Sequence, residues 1–379
     1  MPIQLENFEA GRWEKGPDYQ YFVPTHINEQ WEWRNAGLNS LLEKASLKLG
    51  ELNSFARLVP NIDLFIHLHV IKEAVISSRI EGTQTHIDEA LLPEEDVKPE
   101  RRADWKEVNN YTRALNAAIG KLEQLPLSSR LLRNTHKILL EGARGEHTLP
   151  GEFRNSQNWI GGSSLADAIF IPPAHHYVPD LMSDLEKFLH NKDIKVPELI
   201  KIGIAHYQFE TIHPFLDGNG RIGRLMITLF LISERIMDKP LLYLSTFFER
   251  NKGLYYDNLT NVRERNGMLQ WLKYFLVGIA QTSEKAVKTL SKILELKSQT
   301  ENQIRSGWGR RVNSALILLN YLFEHPVIQI RKVEEVCGLS FKAANDLVSS
   351  FENDHIVKEM TGQSRNRIFI FERYINLFE

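Results

Sequence analysis

The strongest constraint on this chain is a twelve-residue stretch, His213-Pro-Phe-Leu-Asp-Gly-Asn-Gly-Arg-Ile-Gly-Arg224, set between two segments of helical texture. Before it, Leu199, Ile202, Phe209 and Ile212 recur at helical spacing behind Pro197, a residue suited to a helix start. After it, the apolar run Leu225 to Ile232 reads as a buried helix. The turn between them opens a helix with glycines, and the first N–H groups of a helix have no partner within it. Such a turn cradles an anion, most often phosphate. Asp217 can hold a hard cation such as Mg²⁺ against that phosphate. Arg221 and Arg224 lie three apart, share a face of the first turn and can clamp phosphate oxygens. Two arginines beside a helix N-terminus oppose the macrodipole unless an anion is bound there. His213 stands at the entrance, where a general base would reach a hydroxyl. The spacing predicts a phosphate-transfer site.

Two other motifs are excluded. Gly218-x-Gly220-x-x-Gly223 spells the dinucleotide fingerprint, but that fingerprint follows a strand and here the preceding segment is helical. A Walker loop needs Lys-Ser or Lys-Thr after its last glycine, and Gly223 is followed by Arg-Leu.

The run resembles the signature of the Fic family, His-x-Phe-x-Asp/Glu-Gly-Asn-Gly-Arg-x-x-Arg, at every fixed position, and the resemblance extends from about Asp63 to the region of Phe275. It implies an all-α bundle with a small β-hairpin flap, transferring AMP from ATP to a Ser, Thr or Tyr hydroxyl of a target protein, the chain itself included. By that resemblance His213 deprotonates the hydroxyl and Asp217 ligates Mg²⁺. Gly218, Asn219 and Gly220 form the cradle, and Arg221 and Arg224 hold the β- and γ-phosphates. Gly220 leaves room for the pyrophosphate of an AMP donor. Tyr243 and the Asn251-Lys-x-x-Tyr255-Tyr256 run resemble the family segment lining the adenine pocket, although helix packing explains the two tyrosines equally well.

Upstream, 157–160 and 168–171 are short β-like runs around Gly161-Gly-Ser-Ser164, which predicts a hairpin. In the family such a flap, here Ile160, Gly161, Gly162, Ile169, Phe170 and Ile171, pairs by main chain with the target. Ser77-Ser-Arg-Ile-Glu81-Gly82 closes a predicted helix that starts near Asp63, with Gly82 at the C′ position. Ser77 and Glu81 share a face. A carboxylate in a last turn opposes the macrodipole and gains from a cationic partner. The segment resembles the Ser/Thr-x-x-x-Glu-Gly/Asn inhibitory helix of some Fic proteins. The resemblance implies that Glu81 binds Arg224 and keeps ATP unproductive, and that Glu81 can also support removal of AMP.

Composition sets the frame. A net charge of −2 argues against a global nucleic-acid or membrane field. With Cys337 the only cysteine, an intramolecular disulfide and a Cys-rich zinc site are excluded. No apolar run reaches the ~20 residues of a membrane span, and residues 1–15 hold no signal-peptide core, so a cytoplasmic location is expected.

Four regions are expected: an N-terminal arm and helices (1–126), a catalytic core (127–284), a polar helical linker (285–307) and a tail unit (308–379). Helices are predicted over 31–52, 63–82, 105–122, 128–140, 179–190, 197–212, 222–236, 255–262 and 271–298. The tail reads helix, short helix, turn, helix and hairpin, a pattern resembling a winged helix. It allows a DNA-binding regulator with a nucleotide-sensing core, through Lys342 and the wing residues Lys358, Arg365 and Arg367. Its balanced charge favours protein contact or homodimer formation at least equally.

Overall fold

A computed structural model describes residues 2–363 and 366–378; Arg365 lies outside them. The chain is helical throughout, with three small sheets. Two flank the N-terminal arm: β1 (Ile3–Gln4) pairs in parallel with β4 (Trp31–Glu32), and β2 (Gly11–Lys15) pairs antiparallel with β3 (Gln20–Pro24). The arm packs on the body through Leu5, Phe8, Phe22, Ile27 and Trp31. The helix predicted from Trp31 begins later, because Trp31 is taken by the sheet and the Asn35 side chain accepts the Leu38 N–H at 2.9 Å. That cap opens α1 (Ala36–Leu58). It is followed by α2 (Asp63–Ile80), the single turn α3 (Ile87–Ala90), α4 (Arg102–Lys121) and α5 (Ser129–Leu139), the last capped by Ser128. Then come α6 (Val178–His190), α7 (Glu198–Ile212), α8 (Asn219–Ser233), the short α9 (Ser245–Arg250), α10 (Lys252–Arg265) and α11 (Met268–Gly307).

The centre of the bundle is α7. Every residue from Leu199 to Ile212 is buried, as befits a helix with apolar residues all round and packed against α6, α8 and α11. Two hydrogen-bonded rings tie it to its neighbours. Trp271 Nε1 donates to the Gly203 carbonyl at 2.8 Å, and the His206 ring bridges the Gly223 carbonyl and the Tyr255 hydroxyl, each at 3.0 Å. A rod fixed on all sides thus delivers His213 at its C-terminal end.

Three expectations change. The linker is not a separate element, because α11 runs unbroken for 40 residues. Its second half buries Ala286, Leu290, Ile293, Leu296 and Ile304, an apolar stripe that the polar average of the segment conceals. The flap is not a ladder: a single bridge joins Ile160 to Phe170, because the Ile171 carbonyl accepts instead from the Phe22 N–H of the arm at 3.0 Å. The tail contains α12 (Val312–Glu324), β5 (Val327–Gln329), α13 (Ile330–Cys337), α14 (Phe341–Asn353), β6 (Lys358–Glu359), β7 (Ile368–Ile370) and the short α15 (Glu372–Ile375). Its sheet has the antiparallel order β5-β7-β6, so a strand missed in the sequence precedes α13. Few contacts were expected between tail and core. Instead Phe323 meets Phe65 edge-on with centroids 5.6 Å apart, and Phe378 meets His69 at 4.7 Å. Lys358 is paired with Glu372 and Arg367 donates to Asn345, which leaves these wing cations engaged.

Candidate active site

The site gathers where α7 ends, α8 begins and the C-terminus of α2 arrives. His213 ends α7 in the left-handed region, at φ +51°. Its carbonyl accepts from Arg154 Nε at 2.9 Å, and the same guanidinium donates to the carbonyls of Ser156, Pro173 and Ile212. Burial, then Arg154 and Arg263, push the imidazole down to about 3, so it is neutral at physiological pH. Nδ1 is fully buried, which leaves Nε2 as the nitrogen that can exchange a proton.

The turn is braced by residues that the sequence reading assigned elsewhere or missed. Asn219 Oδ1 accepts the Phe215 N–H and its Nδ2 donates to the Phe215 carbonyl, both at 2.8 Å. Its side chain therefore folds the loop, and only its backbone can serve a ligand. Gly218 caps α8 at φ +76°, which suits glycine, and its N–H goes to Asp217 Oδ1 at 2.6 Å. His136, on α5, was not predicted. It stacks on Phe215 at 3.9 Å, accepts the Gly151 N–H at Nδ1 and therefore donates from Nε2 to the Asp217 carbonyl at 2.9 Å. The Asp217 side chain stays 43% exposed, open to a ligand. Among the described residues no group of three or more His, Cys, Asp or Glu is placed to hold a metal. A metal at Asp217 would thus draw its other ligands from nucleotide and water, as Mg²⁺ commonly does.

Both arginines are occupied by carboxylates. Arg224, 3% exposed, donates to Ser77 Oγ and to the Ser77 carbonyl at 2.9 Å each, and to Glu81 Oε1 at 2.7 Å. Ser77 and Glu81, paired in the sequence by their shared helix face, are brought together on one guanidinium. Burial alone would raise the Glu81 carboxyl, but Arg224 outweighs it and the net shift is downward. Gly82 closes α2 at φ +109°, as its predicted C′ role requires. Arg221 pairs with Glu107 at 3.1 Å and more distantly with Asp217 at 3.5 Å, and keeps a buried, unpartnered Nε. Glu107, on α4, also takes Arg144 at 2.6 Å. Its only trace in the sequence is its spacing with Tyr111 and Ala114 along the buried face of α4.

The adenine-pocket residues separate. Tyr255 is a packing residue, stacked on Phe248 at 4.4 Å with its hydroxyl on His206. Its neighbour Tyr256 is 38% exposed and near enough to Glu81 and Arg224 for their charges to act on its hydroxyl, which is pushed up to about 12, first by burial. Tyr243 and Asn251 line a different cavity, one not shared with His213 or Arg224. At the flap, Gly161 and Gly162 form the exposed tip, Ile160 is half-buried and Ile169 is 79% exposed. Phe170 and Ile171 turn inward, Phe170 beneath the Arg263 guanidinium at 3.8 Å.

The site thus joins a glycine-rich helix N-terminus, a buried neutral histidine and an arginine held by a carboxylate within one helical bundle. Residues 126–231 match the Fic/DOC family and residues 39–120 match the Fic/DOC family N-terminal segment, so the chain carries a Fic/DOC domain with its N-terminal companion. Over 178 residues it is 25% identical to the "Probable protein adenylyltransferase" of Aquifex aeolicus, covering 47% of this chain and 52% of that one. Over 196 residues it is 25% identical to the protein adenylyltransferase fic-1 of Caenorhabditis elegans (52% and 34%), and over 83 residues 37% identical to the protein adenylyltransferase Fic of Aedes aegypti (22% and 15%). The chain thus spans about half or less of the length of these relatives. A Fic family protein from Desulfovibrio desulfuricans shares the fold over 89% of this chain and 96% of its own, with TM-score 0.57 and 20% identity. Among the described residues no helix is long and apolar enough to cross a membrane.

Proposed function

We propose that this chain is a protein adenylyltransferase, moving AMP from ATP to a hydroxyl side chain of a protein, and that Glu81 restrains it. The relatives' names support the activity, and the hold of Glu81 and Ser77 on Arg224 is the observation that carries the restraint. In the reaction the hydroxyl oxygen attacks the α-phosphorus and gives its proton to His213 Nε2. The bond from the α-phosphorus to the bridging oxygen breaks, and pyrophosphate leaves. The N–H groups of Asn219 and Gly220 at the start of α8 face the phosphates. Asp217 is the residue that would hold Mg²⁺, which neutralises phosphate charge when bound. Arg221 has Nε for a phosphate oxygen, and Tyr256 stands where Tyr255 was expected. Arg224 can serve the γ-phosphate only after leaving Glu81. The exposed backbone of the flap around Gly161 and Ile169 offers a pairing edge to a target segment.

The test is transfer of labelled AMP from ATP in the presence of Mg²⁺, onto proteins of a lysate and onto the chain itself. Glu81→Gly should label and Glu81→Gly with His213→Ala should not, a loss of about 10²–10⁴ in rate for a missing general base. Equal labelling by both variants, or none by Glu81→Gly, would overturn the reading.

A further inference from the structure

Arg144 lies outside the signature run, in the stretch between α5 and the flap. Its guanidinium reaches two carboxylates of α4. Nε donates to Glu107 Oε1 at 2.6 Å and Nη2 to Asp104 Oδ1 at 2.8 Å. The same Glu107 accepts from Arg221 Nη1 through its other oxygen, Oε2, at 3.1 Å. Arg221 in turn reaches Asp217 Oδ1 at 3.5 Å. Charges thus alternate along one line: Asp104, Arg144, Glu107, Arg221 and Asp217. The line starts beside the restraint, because Asp104 Oδ2 accepts the N–H of Gln84, three residues after Glu81, at 2.8 Å.

A second observation fixes where Arg144 is anchored. A β-carbon on Gly145 would lie 2.5 Å from Asp217 Oδ2, so the backbone beside Arg144 runs against the carboxylate of the turn. Arg144 is held at both ends, by its main chain next to Asp217 and by its head at Glu107.

This geometry decides what Arg144 does. A carboxylate and a guanidinium pair most strongly as two forks, through two parallel hydrogen bonds. The Arg221 side chain is 4% exposed, and an unobstructed Glu107 would clasp it in that way. Arg144 takes Oε1, so Glu107 holds Arg221 by Oε2 alone. Arg221 Nε is left buried and without a partner among the described residues. Such an atom calls for an acceptor, and in the proposed reaction that acceptor is a phosphate oxygen. The Arg144 side chain is itself 59% exposed, so its pairing adds little to folding. Its effect falls on the buried carboxylate that it shares.

We propose that Arg144 is a positioning residue of the nucleotide site: by occupying one oxygen of Glu107 it keeps Arg221 held but not clasped, ready for a phosphate. It acts through Glu107 and meets no substrate atom. The proposal rests on the nucleotide reading of the site.

The experiment is the affinity of the full chain for ATP with Mg²⁺, measured by calorimetry in the Glu81→Gly background, where Arg224 is free. Arg144→Gln should weaken binding at least about fivefold, the lower end of ordinary coupling between sites. Arg144→Lys keeps a cation beside Glu107 and should restore most of the affinity. The effect should vanish when Glu107→Gln is also present, because an amide cannot form the two-oxygen clasp. Adding Arg144→Gln there should change affinity by less than about twofold, the ordinary limit for independent sites. A loss of equal size with and without Glu107→Gln would show that Arg144 meets the nucleotide directly, and would overturn the proposal. Unchanged affinity in Arg144→Gln would do the same. If Glu107→Gln does not fold, the lysine variant decides, and a loss as large as that of Arg144→Gln sinks the idea. No ATP binding by any variant, Glu81→Gly alone included, overturns the nucleotide reading and this proposal with it, a result distinct from all the others.

Discussion

The Glu81 carboxylate occupies the space that a β-carbon on Gly220 would need: a methyl built there collides with Oε1 and comes within 2.9 Å of the Arg224 guanidinium. The sequence suggested that Gly220 leaves room for a phosphate. The structure shows that this room admits the carboxylate of α2.

Gly220→Ala should therefore dislodge Glu81 from Arg224. In a double-mutant cycle of unfolding free energy, Gly220→Ala and Glu81→Gly should couple by about 1–2 kcal/mol, the range for residues in direct contact. Purely additive effects would mean that the two residues do not compete for space.

Removing the carboxylate should release the proposed activity. Glu81→Gly is expected to raise AMP transfer at least about tenfold, the factor given by about 1.4 kcal/mol of barrier. Labelled AMP on the chain and on lysate proteins is the readout. Transfer equal to or below that of the unmutated chain would remove Glu81 as a restraint.

Stability should fall on mild acidification. Burial pushes His69, His206 and His213 down to about 3 and His136 to about 4, from an ordinary value of 6.5. Unfolded, each takes up a proton below pH 6.5, while folded it does not, so its contribution is full above 6.5 and lost as pH falls toward 3 or 4. Glu73 and Glu210, pushed up to about 7 by burial, hold protons when folded and act in the opposite sense between about 4.5 and 7. Four histidines outweigh two carboxyls. The urea midpoint should drop between pH 7 and pH 5.5, and His206→Gln should flatten the slope of stability with pH by up to about 1.4 kcal/mol per pH unit, the value of one full proton. A midpoint that does not move would contradict the buried, neutral state of these rings.

Cutting the chain before Trp308 should harm the core. Phe65 and His69 on α2 would lose Phe323 and Phe378. Phe323→Ala alone should cost about 3–5 kcal/mol, the usual toll of a large buried ring. A truncated chain unfolding as cooperatively as the whole would show that these contacts add little.

Much of this was legible in the residues because local chemistry declares itself locally. The α7–turn–α8 unit follows from periodicity and three glycines, and the Ser77–Glu81 pair from helical spacing. What was lost is long-range. Nothing near Glu107 reveals Arg221, which lies 114 residues away, and nothing near Asn219 reveals that its amide closes a ring with Phe215 rather than facing a ligand. Tyr255 and Tyr256 are adjacent, and only packing decides which turns inward. The tail looked detachable because its own apolar pattern is complete enough to hide the face it shares with α2.

Arg154 holds the carbonyls of Ile212 and His213 on one side and that of Pro173, just beyond the flap, on the other. It is buried, and burial pushes its guanidinium down to about 10. In the proposed reaction, the nucleophile's route and the proton's destination therefore hang from a common pin. A shift in the chain at Pro173 must either stretch that pin or carry the His213 backbone with it, so the alignment of target and base is set as one adjustment rather than two.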